Sequence, residues 1–227
     1  MTKHPLLSSF RITAKERFNV YSHATTTVLC FIISCFILKQ SHQYGPSHWI
    51  PSFIYCTGLT GCYLSSMLYH WAYQTELKNK LRVIDHCFIF ISSPTTYAPM
   101  LLIAFNDSIW PIFFWIYLSA MAALGCYYEF HLGKNSYQQE RGKPFMIAKI
   151  LSGSLIILLP KFLTTFPWYS ILFNFTSLAA TLIGIGCYAR SKKDHRHEVY
   201  YHGLWHIFAA VGSFLFLCSY FPTVYSL

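Results

Sequence analysis

Tyr201-His202-Gly203-Leu204-Trp205-His206, running on through Ile207 to Val224, is the stretch that decides how this chain is read. A helix of about 20 residues crosses the hydrocarbon core of a bilayer. The stretch 201–224 is longer than that and contains no Asp, Glu, Lys or Arg. Its exceptions are His202 and His206. A spacing of four places both on one helical face. Ionisable groups are costly inside a membrane, so two of them aligned at the head of an apolar helix point to function.

Working outward, six more apolar segments can be drawn: 19–38, 49–73, 83–105, 109–130, 145–163 and 167–189. The fifth has Lys149 and Lys161 near its ends, whose long stems can reach an interface. Composition agrees with a membrane protein. Of 227 residues, 54% are hydrophobic and 11% charged, against about 25% charged in a soluble domain. The chain reads as all-α: a cytoplasmic segment, 1–18, followed by one seven-transmembrane helix bundle, 19–227. No cleavage pattern precedes the first apolar run, so no removable signal peptide is expected. Eight scattered cysteines without a C-x-x-C pair read as small buried hydrophobes. Pro94 and Pro99 should kink the third helix.

The formal charge of +9 would suggest nucleic acid in a soluble protein. Here the cations occupy loops, where they orient the chain in a membrane. Lys3, Arg11, Lys15 and Arg17 precede the first helix. Lys78, Lys80 and Arg82 lie between the second and third, and Lys134, Arg141 and Lys143 between the fourth and fifth. Arg190, Lys192, Lys193 and Arg196 lie between the sixth and seventh. The opposite loops hold Lys39 and Lys161. The N-terminus is therefore expected in the cytoplasm and the C-terminus outside.

That orientation brings distant residues to one depth. Ser66 and His70 repeat the spacing of four where the second helix ends on the cytoplasmic side, and Asp85 lies where the third begins. His202 and His206 lie where the seventh begins. Three neutral imidazoles with an open position form a catalytic zinc arrangement, in which bound water ionises near neutral pH. His70, His202 and His206 are the candidate ligands. Asp85 is the carboxylate placed to accept a proton, and Ser66 a hydroxyl placed to bond a carbonyl or the water. Each residue also has a plainer reading. Interface histidines bond headgroups or neighbouring helices, Asp85 suits the positive end of a helix, and Ser66 permits close packing. Glu16, Asn19 and His23 share one face of the first helix and read as a hydrogen-bond network that fixes it, in preference to metal ligation. His86 points about 100° from Asp85. His195 and His197 belong to the basic loop, and Glu129 and His131 read as a solvated edge.

Several of these groups form a known pattern. Glu16-x-x-Asn19-x-x-Ser22-His23 resembles the E-x-x-N-x-x-[ST]-H opening of the hemolysin III family. Ser66-x-x-Tyr69-His70, Arg82-x-x-Asp85-His86, Thr96-Tyr97-Ala98-Pro99 and His202-x-x-Trp205-His206 resemble its later segments, in family order. Ala98 stands where the family's T-Y-T-P has a second threonine, and Ser93-Pro94 where a small residue usually precedes it. The family belongs with the progestin and adipoQ receptors and, more distantly, the alkaline ceramidases. The resemblance implies a seven-helix bundle, zinc on His70, His202 and His206, and Asp85 and Ser66 beside the water. It also implies a compact bacterial member, in the inner membrane, rather than a hormone receptor.

Three functions compete. The first is a zinc-dependent hydrolase of a ceramide-like lipid amide, with membrane lipids as its surroundings and no nucleic acid partner. The second is a non-enzymatic regulator of membrane homeostasis with a structural zinc. The third is a pore-forming hemolysin, which the shortage of charges able to line a channel disfavours.

Overall fold

The computed structural model describes residues 9–132, 159–194 and 196–225. Within them lie α1 (Arg17–His42), α2 (Pro46–Trp71), α3 (Thr75–Pro99), α4 (Trp110–Leu132), α5 (Leu159–Thr165), α6 (Trp168–Ser191) and α7 (Glu198–Val224). No strand occurs among the described residues; an isolated bridge joins Phe10 to Ala72. Most of the segment 145–163 falls outside the described residues, with Lys149. So do Lys3, His4, Lys134, Arg141, Lys143 and His195.

Among the described residues, five helices are long and apolar enough to cross a membrane: Arg17–His42, Thr75–Ala104, Trp110–His131, Trp168–Ser191 and Glu198–Pro222. Their apolar side chains point outward as well as inward. Phe31, Phe36, Leu124, Leu178 and Leu182 are all exposed. Such a surface is favourable against lipid and costly against water. α2 is as long as α1 but is studded with Ser, Thr and Gly, and it is not among the five.

The helices adjoin one another in the order α6, α7, α1, α2, α3, α4. Helices joined directly by a tight turn, such as α1 and α2, run antiparallel, whereas the neighbours α1 and α7 begin at the same end. Between α1 and α2 the chain turns at Gly45, whose φ of 80° suits glycine, and Pro46 opens α2 with its ring preset for a helix. α2 and α3 approach closely at Gly58, where a Cβ would meet Thr95 Oγ1 at 2.0 Å. α3 continues through Pro94, and after Pro99 it widens into a π turn, Met100–Ala104. The indole of Trp115 on α4 donates to the Pro94 carbonyl at 2.9 Å.

The two ends of the bundle differ. One end holds the apolar core: Tyr55, Leu101, Phe105, Leu118, Tyr220 and Val224 are almost fully buried there. At the other, α1, α3 and α7 begin and α2 ends. The N-terminal strap is fastened to this end by backbone bonds from Arg11 N–H to the Trp71 carbonyl (3.2 Å) and from Tyr73 N–H to the Ser9 carbonyl (2.9 Å).

Candidate metal centre

The strap sets Glu16 just ahead of α1, and one turn further on Asn19 and His23 follow on the same face. From α2, Ser66 and His70 project four residues apart, and from α7, His202 and His206 do the same. His23, His70 and His206 are buried, as is Ser66. One ligand nitrogen from each of these three histidines lies within 4.8 Å of the other two. The donors come from three helices, which is how a bundle builds a metal site.

His202 belongs to the same cluster. Its ring centroid is 4.5 Å from that of His206 and 5.6 Å from that of His70. His23 lies 4.0 Å from His206 and 5.7 Å from His70. Four imidazoles therefore meet where three were expected. His23 is the third histidine within ligand distance of His70 and His206, while His202 adjoins them through ring contacts.

The groups around the imidazoles fix their orientation. His70 Nδ1–H donates to Glu16 Oε2 at 2.8 Å, which leaves Nε2 of that ring as the lone pair for a ligand. Glu16 also accepts from Lys78 Nζ at 2.7 Å and Asn19 Nδ2 at 3.0 Å. Burial by itself would raise the Glu16 carboxyl, but the bonds from His70, Lys78 and Asn19 hold it well below the usual carboxylate range. Ser66 Oγ lies 3.1 Å from His23 Nε2. Asp85, from α3, bonds to the same hydroxyl.

The donor set fits a borderline metal. Imidazoles suit zinc, iron, copper or nickel, and three of the four here are buried. His206 Nε2 is buried without a hydrogen-bond partner, and such an orphaned nitrogen inside a cluster of other imidazoles is what a ligand position looks like without its ion.

The sequence-predicted residues Ser66, His70, Asp85, His202 and His206 all gather at this end. The network read from Glu16, Asn19 and His23 is present, but it extends beyond α1 to His70 and Lys78. His23 sits within ligand distance, which sequence spacing within α1 could not reveal. Glu129 departs from its expected solvated edge. It is buried and accepts from His86 Nδ1 at 3.2 Å. A buried carboxylate needs such a partner, and the partner lies on a different helix. His197 is exposed and bonds Asp194 at 3.1 Å, and His131 bonds the Tyr127 carbonyl.

A model of the family described as haemolysin-III related matches residues 11–217, which is most of the chain. No curated protein matches it.

Proposed function

The chain belongs to the haemolysin-III related family, and from that premise we propose that it is a zinc-dependent hydrolase of a lipid amide. It would work as one seven-helix membrane domain, with its N-terminus and metal centre toward the cytoplasm of a bacterial inner membrane. The observation that carries this reading is the meeting of buried imidazoles from three helices beside a serine and an aspartate.

Zinc bound by imidazoles polarises a carbonyl and lets water ionise near neutral pH. His70, His202 and His206 are its ligands in this reading. His202 lies no further from His70 than His23 does, and His23 Nε2 is already engaged by Ser66. Glu16 holds the His70 ring in one tautomer. The Ser66 hydroxyl orients the carbonyl oxygen of the amide. Asp85 takes the proton of the attacking water and returns it to the amide nitrogen as the C–N bond breaks, so that a fatty acid and an amine leave. Acyl chains reach the site from the apolar outer surface of the helices.

A second reading treats the metal as a clamp between α2 and α7 in a regulator of membrane state. The His70 ring of α2, which faces His202 and His206 of α7 at centroid separations of 5.6 and 5.3 Å, favours it. A panel of lipid amides incubated with purified protein separates the two. We expect zinc-dependent release of fatty acid from one class, and Asp85→Asn should keep its zinc while losing turnover by about a hundredfold or more. No release from any lipid amide would leave the clamp.

A further inference from the structure

A cavity of about 380 Å³ lies on the outer side of the histidine cluster, where α1 and α7 begin, lined by Phe18, Arg196, His197, Val199, Tyr200 and Leu204. Phe18 forms one wall. Its ring rests on Gly203, where a Cβ would come within 2.3 Å of it. The glycine between His202 and His206 thus lets the Cδ1–Cε1 edge of an aromatic ring from α1 pack closely against α7. Phe18 and Tyr200 are 47% and 62% exposed, so two large rings stand open at the rim.

The charges around this cavity are unequally matched. Lys15 pairs with Glu198 at 3.5 Å, and His197 with Asp194 at 3.1 Å. Both neighbouring carboxylates are therefore occupied. Lys192 lies over the Tyr188 ring and Arg190 over Tyr201. Arg196 makes no ion pair among the described residues. It stands at the mouth of an otherwise largely apolar hollow.

We propose that this cavity binds an anionic phospholipid. The guanidinium of Arg196 forks onto the phosphate, a geometry for which arginine is better suited than lysine. Phe18, Tyr200 and Leu204 take the glycerol and the first methylenes of an acyl chain. The chain continues down α7, where Ile207 and Val211 are exposed on the face shared with Tyr200 and Leu204. A choline or ethanolamine headgroup would bring a second cation beside Arg190, Lys192, Lys193 and Arg196, so a headgroup with net negative charge is the better match. Lipid binding here requires no hydrolytic activity of the metal centre.

The test uses the purified full chain in a neutral detergent, titrated separately with dioctanoyl phosphatidylglycerol, dioctanoyl phosphatidylcholine and inorganic phosphate, and read by thermal melting. Phosphatidylglycerol should raise the melting temperature saturably, with phosphatidylcholine and free phosphate at least about tenfold weaker. Arg196→Gln should weaken the phosphatidylglycerol response by about tenfold. Arg196→Lys, which keeps the charge and stands in should the glutamine variant fail to fold, should fall between. Lys193→Gln should change little. Equal weakening by Lys193→Gln and the Arg196 variants would mean diffuse attraction and overturn the site. Equal binding of phosphatidylcholine would overturn the charge preference, and equal binding of free phosphate the lipid.

Discussion

The two ends of this bundle both bury polar side chains, but they use them differently. At the end where α2 begins and α7 finishes, hydroxyls answer hydroxyls and carbonyls. Tyr44 donates to the Tyr225 carbonyl at 2.8 Å, Ser52 Oγ meets Tyr225 Oη at 2.5 Å, and Ser52 also reaches the His48 carbonyl at 2.7 Å. These groups are neutral and close over an apolar core. At the opposite end the side chains are imidazoles and carboxylates. Their bonds converge on Glu16, and His206 Nε2 is left unanswered. The first arrangement is a seal of neutral groups, although Ser219 Oγ is buried there without a hydrogen-bond partner. The second gathers imidazole nitrogens, which can coordinate a metal as hydroxyls at the seal do not, and that is what marks it as a site.

The comparison breaks most readily at the histidines. His70→Ala and His206→Ala should each lower metal affinity by more than about a hundredfold, beyond the range seen for groups that merely orient a ligand. His202→Ala should match them, whereas His23→Ala should retain most of the metal; elemental analysis of the purified variants decides it. The reverse order at His23 and His202 would make His23 the third ligand and replace the set proposed above. A smaller effect is expected at Glu16. Glu16→Gln keeps the shape of the side chain but loses the charge that holds the His70 ring, and metal affinity should fall about 10–100-fold, measured by competition with a chelator. The smallest effect belongs to the seal. Tyr225→Phe removes the hydroxyl that meets Ser52 and should cost about 1 kcal/mol of stability, with metal content unchanged. Loss of metal in that variant would mean that the two ends are coupled and the distinction between them is false.

Much of this was legible in the chain. Apolar run length located α1, α2, α3, α4, α6 and α7, since a bilayer core fixes a minimum span; the segment 145–163 lies mostly outside the described residues. The spacing of four in Ser66/His70 and His202/His206 gave the faces, and the alternation of loop charge brought those faces to one end. Two features were not legible, for one reason. The approach of His23 to His206 depends on how α1 seats between α2 and α7. The burial of Glu129 depends on how α4 lies against His86 of α3. Both are set by side-chain packing between helices, about which spacing within one helix says nothing. The Gly203–Phe18 contact is of the same kind: the glycine is visible in sequence, the ring that needs it is not.

The composition of α2 bears on how the protein is made. This helix carries Ser52, Thr57, Gly58, Thr60, Gly61, Ser65, Ser66 and His70, and it falls short of the apolarity of its neighbours. Such a segment partitions weakly from the translocation channel into lipid when it emerges alone. α1 precedes it across a single tight turn at Gly45, and α3 follows within a few residues. α2 therefore has a partner on either side during synthesis, and it enters the bilayer as one arm of a hairpin. The helix that delivers His70 is thus the one whose insertion depends on its companions, so the centre cannot assemble before they are in place.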